Sequence, residues 1–445
     1  MNNKQAPGSV RIALISLLMM ISFTFSACDA LGVLSELMPD AETNAGSSGE
    51  TKQDTAVMPA PTAVPTQIPI DLNVITFWIE PQFDLEADSP QAEIFRNHVQ
   101  EFIDQNPGIK VQFRLKDAEG ANSLLNSLSI TAAAAPDALP TLVLLSRRDL
   151  EQAAMQGLIR PIEFYATSFD NNDWYPFAKK IGLYKNEAYG LPMAADVLVL
   201  ATSNSISTVG YIPLSPPPRQ FGQISFAAGD PETLLPYLWY QSAGGRLVDE
   251  SGQPILERDI LLELFTSIAE NRRVGNFSSS LTQYLSSADT WDAFVGGEIP
   301  NTINWANKAL LLTDGSRITF IPALGDGPFT YADGWVWCLV QKDTTDLDLN
   351  ITFMQHMASP DFLAKWTVAT DLLPVRPSSI EGMDGDHIFL DKLLLSADII
   401  PSESVRDASN AFLVDEMDAL LFGEYSAEVA VENVIAKFEE GQTSE

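Results

Sequence analysis

The stretch formed by residues 189–204, YGLPMAADVLVLATSN, constrains the fold more than any other part of the chain. Gly190 and Pro192 exclude a helix over its first residues. Residues 197–201 are apolar without alternation, which is typical of a strand covered on both faces. Asp196 directly precedes that run, and a carboxylate there needs a polar partner or a ligand because an unpaired buried charge is costly. We interpret this stretch as the first crossing between two lobes, with Asp196 facing the space between them.

Composition limits the classes of protein that the chain can belong to. Its 445 residues predict two or three domains, and a hydrophobic content of 46% can fill a globular core. A net charge of -33 opposes partnership with nucleic acid or with an anionic membrane surface. Only Cys28 and Cys338 are present, so no disulfide framework is predicted. His98, His356 and His387 lie far apart without metal-ligand spacing, and we predict neither a metal nor a cofactor.

The N-terminus has the pattern of a secretory signal, which we assign to residues 1–27. Lys4 and Arg11 supply a positive segment, residues 12–25 are apolar, and two small residues follow. The apolar run is short for a membrane span. Cleavage after residue 27 would change the net charge from -33 to -35, since residues 1–27 hold two cations and no acid.

Cys28 is a predicted lipidation site. The sequence FSAC at residues 25–28 resembles a bacterial lipobox, although Phe25 stands where leucine is usual. The resemblance implies that the mature protein begins at Cys28, carries lipid there and is anchored to the outer face of the cell membrane. Ordinary cleavage, with Cys28 uninvolved, is the alternative. Residues 28–70 are rich in Gly, Ser, Thr and Pro and predict a disordered tether.

The pattern from residue 73 to residue 157 alternates strands and helices. Strands are predicted over 73–79, 109–115 and 141–145, and helices begin at Ser89-Pro90 and cover 124–135 and 149–156. This alternation predicts a parallel sheet with helices on its faces. Ligands of such sheets bind beyond the carboxyl ends of the strands, here residues 78–80 and 146–148.

The remainder of the chain predicts a second lobe and returns to the first. We expect a hairpin over 246–256, a helix over 259–273, and a helix from Asp289 that buries Trp291, Phe294 and Val295. Further predicted elements are strands over 299–305, 318–321 and 334–340, a helix from Ser359-Pro360, a third crossing over 372–377, and helices over 402–422 and 426–440.

The order of several stretches resembles the extracellular solute-binding proteins of carbohydrate ABC importers, a maltose-binding-protein-like family. The resemblance covers residues 71 to about 440 and rests on FWIE, FIDQNPGIKVQF, LVLLSRRDLEQAAMQGLIRPIEFY, YGLPMAADVLVLATSN, SAGGRLVDESGQPIL, TWDAFVGGEIPNTINW, DGWVWCLV and FMQHMASPDFLAKWTVATDLLPVRPSS. It implies an α/β fold of the type II periplasmic-binding-protein class, with two α/β lobes joined by a multi-strand hinge. The first lobe would comprise 71–194 and 323–373, and the second 195–322 and 374–445.

One stretch departs from the family pattern. The family has a helix before the Gly-Gly segment, whereas residues 219–228 predict a loop or a strand. This difference affects the wall of the second lobe and therefore the fine choice of substrate.

Sugars present apolar ring faces and hydroxyl groups, which bind flat aromatic side chains and charged or amide hydrogen-bonding groups. The candidate ligand-binding residues are Trp78, Glu80, Asp196, Asn304, Trp305, Trp335, Tyr240 and Arg147. The resemblance assigns a cleft carboxylate to Asp196 and stacking aromatics to Trp305 and Trp335. Trp335 and Trp337 alternate along one strand, so we expect at most one of them to face the cleft.

Each of these residues has a structural alternative. Trp78 and Tyr240 could pack in the core, Glu80 could end a strand, and Arg147 could be a solvated surface residue. Cys338 lies in the apolar run WVWCLV and is interpreted as a buried, unreactive thiol.

The leading hypothesis is a monomeric, lipid-anchored binding protein that delivers a sugar to ABC permease subunits. Catalytic motifs for phosphate binding, nucleophilic attack or zinc hydrolysis are absent, and no enzyme is predicted. A secreted glycan hydrolase, a binding protein for another solute such as a glycerophosphodiester or polyamine, and a ligand-free structural or signalling lipoprotein remain the alternatives.

Overall fold

The computed structural model describes residues 73–162, 173–203, 210–312, 317–342, 346–380 and 387–442. The predicted signal peptide, Cys28 and the tether lie outside these ranges. Among the helices that the ranges contain, none combines the length and the apolar character of a membrane span.

The first part of the chain alternates strands and helices as predicted. Its elements are β1 (Asn73–Ile79), α1 (Pro90–Gln105), β2 (Ile109–Leu115), α2 (Leu124–Ala134), β3 (Leu142–Ser146) and α3 (Arg147–Met155). Both β2 and β3 pair in parallel with β1. The hydroxyl of Ser89 accepts a hydrogen bond from the backbone N–H of Ala92, so Ser89 caps α1 as the sequence predicted.

The middle of the chain leads into a long strand and then into a second group of helices. Its elements are α4 (Pro176–Ile181), β4 (Leu183–Tyr184), β5 (Glu187–Ala188), β6 (Gly190–Thr202), α5 (Leu235–Ser242), α6 (Arg258–Val274), α7 (Ser287–Val295), β7 (Asn301–Trp305), α8 (Ala306–Leu310) and β8 (Arg317–Thr319).

The last part adds one long strand and most of the remaining helices. Its elements are β9 (Thr330–Leu339), α9 (Leu347–Met357), α10 (Pro360–Thr370), α11 (Pro377–Ile380), α12 (His387–Leu395), β10 (Ala397–Ile399), α13 (Glu403–Phe422) and α14 (Ala427–Gln442).

A single sheet runs through the molecule in the strand order β2-β1-β3-β9-β6-β7, with β10 beside β9 and β8 beside β6. All 13 residues of β6 are buried, as expected for a strand covered on both faces. The first half of β6 pairs with β9, whereas its second half pairs with β7 and β8. One continuous strand therefore connects the two ends of the sheet, which confirms the predicted crossing.

Two hydrophobic cores flank this sheet. In the first, Phe77 contacts Trp337 edge-on at 5.4 Å and stacks on Phe353 at 5.9 Å between ring centroids. In the second, Trp239 stacks on Phe277 at 5.4 Å. Helices α13 and α14 contribute to the second core. Cys338 is fully buried in the first core and burial raises the pKa of its thiol, which confirms its interpretation as an inert cysteine.

The predicted lobe boundaries remain a prediction, but the packing bears on one of them. Phe389 and Leu393 of α12 fall in the segment assigned to the second lobe, yet they pack in the first core. Phe389 contacts Phe320 at 5.0 Å between ring centroids. The helix α12 therefore belongs, by packing, to the end of the molecule that contains β1 and β3.

Three local expectations had different outcomes. Leu373, in the predicted third crossing over 372–377, exchanges two backbone hydrogen bonds with Ala195 of β6, and the crossing between lobes stays a prediction. The hairpin over 246–256 is present in a short form, with an antiparallel bridge between Val248 and Pro254. The expected burial of Val295 was wrong: it is 60% exposed because it lies on the solvent side of the last turn of α7.

The segment 219–228 is not helical, as predicted. Ser225 forms a parallel bridge with Thr302 of β7, so this segment lies beside the edge of the sheet. Helices α5, α9 and α12 had not been predicted. Each is rich in large apolar side chains whose period does not distinguish a short buried helix from a strand.

Candidate functional site

The candidate site lies where β6 pairs with β9. In this antiparallel pair, Asp196 is directly opposite Asp333, and Ala194 is opposite Trp335. Residues opposite each other share a face of the sheet, and so do residues two apart on one strand. Asp196, Asp333 and Trp335 therefore occupy the same face.

The register of β7 places Trp305 on this face as well. Trp305 is paired with Leu198, which lies two residues after Asp196 on β6. The indoles of Trp305 and Trp335 are both partly exposed, and they pack against the second and the first core respectively. The strand register therefore places two partly exposed tryptophans on the two sides of the Asp196–Asp333 pair. Trp335 lies beside the first core and Trp305 beside the second. A flat apolar ring face can stack on such indoles.

Trp335 is held from one side by Phe83, whose ring meets it edge-on at 5.5 Å. Trp337 lies two residues further along β9 and is fully buried. Only Trp335 is partly exposed, as expected of at most one of the pair, but alternation is not the reason, because residues two apart share a face. What distinguishes them is coverage: Trp337 contacts Phe95 of α1 and Phe353 of α9, while Trp335 pairs with Ser146, the last residue of β3.

The carboxyl of Asp196 is 5% exposed and has a partner within the protein. Its Oδ1 accepts hydrogen bonds from the backbone N–H groups of Val197 at 2.9 Å and of Asn307 at 3.1 Å. Asn307 is in the first turn of α8, so Asp196 caps that helix. Burial raises the pKa of Asp196 to about 7, and these backbone hydrogen bonds oppose the rise.

Asp333 lies near Asp196, and Glu80 and Asp149 in turn lie near Asp333. Burial raises the pKa of Asp333 to about 6, and burial also raises the pKa values of Glu80 and Asp149. The charge of Asp333 contributes to the raised pKa values of both Asp196 and Glu80. A carboxyl donates a hydrogen bond when protonated and only accepts when ionised, so Asp196, with a pKa of about 7, can take either role near neutral pH.

Glu80 follows the end of β1 and is buried, with the amide of Gln82 donating to its Oε2 at 2.6 Å. The indole N–H of Trp335 is near enough to lower the pKa of Glu80, although no well-oriented hydrogen bond joins the two. Glu80 and Trp335 are therefore neighbours, and the carboxyl end of β1 contributes to the site.

Sequence reasoning missed Asp149 and Asp333. Asp149 is in the first turn of α3, where the hydroxyl of Ser146 accepts from its backbone N–H at 3.1 Å. Asp333 directly precedes Gly334-Trp335, and an acid within an otherwise apolar strand was an available signal for it.

Two predicted ligand residues make their polar contacts within the protein. Asn304 donates from Nδ2 to the carbonyl of Ser287 at 2.7 Å, and its Oδ1 accepts from the N–H of Trp305 at 3.0 Å. The hydroxyl of Tyr240 donates to the carbonyl of Arg246 at 3.1 Å and accepts from the N–H of Glu257 at 2.7 Å. Tyr240 is also fully buried in the second core.

Arg147 is likewise bound within the protein. It is 6% exposed, pairs with Glu151 at 2.6 Å and donates to the carbonyls of Ile181 and Leu183. The surface alternative for Arg147 was therefore wrong. Its charge favours ionisation of Asp333, so it acts on the candidate site through a neighbour.

Trp78 lies on the other side of the sheet. Trp78 pairs with Val143, and Val143 pairs with Cys338 of β9. Cys338 is on the face of β9 opposite to that of Trp335 and Trp337, so Trp78 is on that opposite face as well. Its ring is buried and lies 4.6 Å from the Nζ of Lys116. The eight predicted residues thus divide: Glu80, Asp196, Trp305 and Trp335 gather around one face, and the other four are placed by contacts elsewhere.

One cavity of about 490 Å³ lies apart from this face. It is lined by Gly210, Tyr211, Phe320, Pro328, Lys392, Leu395 and Ser396, and none of the predicted ligand residues is among them. The candidate site is accordingly defined by the sheet register and by the carboxyl and indole groups, and not by that cavity.

Two of the three histidines lie together elsewhere in the molecule. His98, Glu101 and His356 place three side-chain atoms within 4.8 Å of one another, and the rings of His98 and His356 stack nearly parallel at 3.8 Å. Helix packing brings these histidines, 258 positions apart, into contact, and the sequence spacing gave no sign of it.

The fold is the type II periplasmic-binding-protein fold, and comparisons with known proteins agree with it. Residues 218–387 match the family profile of bacterial extracellular solute-binding proteins. The predicted resemblance to that class is therefore confirmed. A search of curated protein sequences gives no match.

Solved structures of similar fold include several sugar-binding proteins. A cyclo/maltodextrin-binding protein complexed with maltotetraose is 16% identical, with a TM-score of 0.66, over 83% of this chain and 97% of that one. The sugar-binding protein MalE from Xanthomonas citri is 14% identical, with a TM-score of 0.66, over 84% and 98%. MalE from Listeria monocytogenes, in complex with maltose, is 12% identical, with a TM-score of 0.64, over 84% and 99%.

Proposed function

We propose that this protein is an extracytoplasmic solute-binding protein that binds a sugar or an oligosaccharide and delivers it to the permease of an ABC importer. The observation that carries the proposal is the shared face of β6, β7 and β9, where two partly exposed indoles flank the buried carboxyl of Asp196 and the partly buried carboxyl of Asp333. An uncharged ligand with apolar ring faces and hydroxyl groups fits this arrangement.

The fold supplies a mechanism for delivery. Trp335 packs on the first core and Trp305 on the second, so a ligand that stacks on both indoles holds the two ends of the molecule together. Such a ligand binds a closed form more tightly than an open form and shifts the population toward closure. The permease would then recognise the closed shape.

The N-terminal part of the proposal concerns attachment. Cleavage of residues 1–27 and lipidation of Cys28 would tether the binding body to the outer face of the cell membrane through residues 28–70. Mass spectrometry of the protein expressed in a bacterial host tests this step. An unmodified Cys28 in the mature membrane fraction would contradict it.

Calorimetry of the purified protein with glucose, maltose, maltotriose, maltotetraose and a cyclodextrin tests the ligand class. We expect at least one linear or cyclic oligosaccharide to bind with a dissociation constant in the micromolar range or below. No binding across this panel would argue against a sugar of the maltodextrin type, and turnover of a glycan would favour the hydrolase alternative.

Substitution of the two indoles tests the site. Trp335→Ala and Trp305→Ala should each weaken binding of the sugar found in that panel by about tenfold or more, because an aromatic stacking partner contributes on the order of 1 kcal/mol beyond the area it buries. The matched control is Trp291→Ala, a partly buried indole of α7 that contacts Phe294. Equal losses of affinity in all three variants would locate the ligand elsewhere.

A further inference from the structure

The strand register fixes how far apart the two partly exposed indoles of the candidate site lie. Trp335 of β9 pairs with Ala194 of β6, and Trp305 of β7 pairs with Leu198 of β6. The strands β9 and β7 lie on opposite sides of β6, so the two tryptophans differ both in their position along β6 and in their strand. Their separation therefore follows from the ordinary geometry of a β-sheet.

The Cα atoms of the two tryptophans are about 16 Å apart by this geometry. Ala194 and Leu198 are four positions apart, which is about 13 Å along β6, and two strand spacings separate β9 from β7 by about 10 Å. Side chains stand roughly perpendicular to a sheet, so the two indoles are about as far apart as their Cα atoms. Stacked rings lie about 4.5–7 Å apart between centroids, so one sugar ring cannot stack on both Trp335 and Trp305.

The acid pair lies between the two indoles. Asp196 is two positions from Ala194 and two from Leu198, which is about 7 Å along β6 in each direction. Asp333 is directly opposite Asp196. The Oδ1 atom of Asp196 accepts from two backbone N–H groups, and that of Asp333 accepts from the N–H of Gly334 at 2.7 Å. A carboxylate has about four acceptor positions, so both carboxyls keep acceptors for the hydroxyl groups of a ligand.

The Trp335 end of the site has a carboxyl of its own. Glu80, at the carboxyl end of β1, is buried beside Trp335, and the amide of Gln82 donates to its Oε2 at 2.6 Å. Phe83 contacts the indole edge-on at 5.5 Å and so helps to fix its position. A sugar ring stacked on Trp335 therefore has an acceptor for its hydroxyl groups that is separate from the acid pair.

We propose that the site consists of three consecutive subsites and takes an oligosaccharide of at least three sugar residues. One sugar residue stacks on Trp335 beside Glu80, and the third stacks on Trp305. The residue between them donates hydrogen bonds to Asp196 and Asp333. This inference rests on the proposed sugar-binding function and narrows it, because a monosaccharide or a disaccharide leaves at least one of the two indoles unused.

Calorimetric titration of the purified protein with sugars of increasing length tests the proposal. The ligands are glucose and three series of up to six residues: maltodextrins, isomaltooligosaccharides and cellodextrins. In the series that binds, we expect the affinity to rise by about 100-fold or more from glucose to the trisaccharide, because each added residue fills a further subsite and the full set includes both indoles. Longer members should bind within about threefold of the trisaccharide, since no further indole of the site remains to stack on.

Single tryptophan variants test the two end subsites. Trp305→Ala and Trp335→Ala should each remove most of the difference in affinity between the trisaccharide and the disaccharide, because either variant leaves two subsites. The matched control is Trp291→Ala, which changes an indole that contacts Phe294 on α7 and should keep the length dependence of the parent protein. The series measured on the parent protein decides the proposal if a variant does not fold.

The outcomes separate this proposal from the proposed function. A monosaccharide that binds as tightly as the trisaccharide of its series would overturn the three subsites and leave the sugar-binding function in place. Length dependence that both tryptophan variants retain would also overturn them. If no member of the three series binds, the sugar-binding function itself is contradicted, and the three subsites with it.

Discussion

The buried carboxyl of Asp196 lies between backbone N–H groups, which donate hydrogen bonds to it, and the carboxyl of Asp333. Its Oδ1 caps α8, while Asp333 lies opposite it on β9. Burial raises its folded-state pKa to about 7, above the ordinary value of 3.8. The folded protein therefore keeps a proton on Asp196 that the unfolded chain releases between about pH 4 and pH 7.

This pKa difference predicts how Asp196→Asn changes the response to pH. Because the pKa of Asp196 is raised in the folded state, the free energy of unfolding decreases as the pH rises from about 4 to about 7. Above pH 7 this decrease stays constant. One pKa unit corresponds to about 1.4 kcal/mol, so the rise of the pKa of Asp196 from 3.8 to about 7 contributes on the order of 4 kcal/mol to this decline. The asparagine carbonyl can still accept from Val197 and Asn307, and we expect a smaller loss of unfolding free energy between pH 4.5 and pH 8.

Urea unfolding at several pH values measures this difference. Asp333 titrates in the same window, with a pKa of about 6, so some decline should remain in the variant. The control is Asp292→Asn, which changes an exposed carboxylate on α7. It should leave the pH dependence of the unfolding free energy unchanged. If the free energy of unfolding of Asp196→Asn depends on pH as that of the parent protein does, the pKa of Asp196 is not raised in the folded state.

At the scale of elements, β6 has no room for an added atom where its first residue pairs with β9. Its first residue, Gly190, lies against β9, and a Cβ atom at this position would be 2.3 Å from the carbonyl oxygen of Trp337 and 2.6 Å from Cγ1 of Val336. The backbone oxygen cannot move away without breaking the β6–β9 pairing. The sequence interpretation used Gly190 only as a helix breaker, and its close approach to β9 is a second reason for glycine there.

Gly190→Ala should therefore destabilise the protein by about 2 kcal/mol or more, at the upper part of the range for overpacked positions. Gly327→Ala is the matched control, because a Cβ atom there would meet no atom within 4 Å. Thermal unfolding of both variants measures the difference. A Gly190→Ala midpoint equal to that of Gly327→Ala would mean that β6 and β9 separate easily at this position.

The whole molecule carries a net charge of -33, and this charge opposes its own compact state. Added salt screens repulsion between exposed charges, with a screening length of about 10 Å at 0.1 M and about 3 Å at 1 M. We expect the unfolding midpoint to rise by about 3 °C or more between 10 mM and 500 mM NaCl. Choline chloride should give the same rise, and a rise confined to the sodium salt would indicate specific ion binding in place of screening.

The sequence by itself determined the fold class and many of the local elements, although it did not indicate α5, α9 and α12. The Ser89-Pro90 start of α1, the alternation in β2 and the unbroken apolar run of β6 each depend on side chains a few residues apart, and caps and periodicity report such short-range effects directly. Asp196, Trp305 and Trp335 could be proposed together because the family resemblance assigned ligand roles to all three, and the register of β6, β7 and β9 places them on one face.

Only the tertiary structure decided which polar groups meet. Asn304 and Tyr240 have the chemistry of ligand residues, but their partners are Ser287, Arg246 and Glu257, and no spacing in the sequence indicates those contacts. Asp333 acquires its raised pKa from burial, and His98 reaches His356 across 258 positions. Burial and hydrogen bonding depend on distance through space, and the packing of helices on the sheet sets that distance independently of distance along the chain.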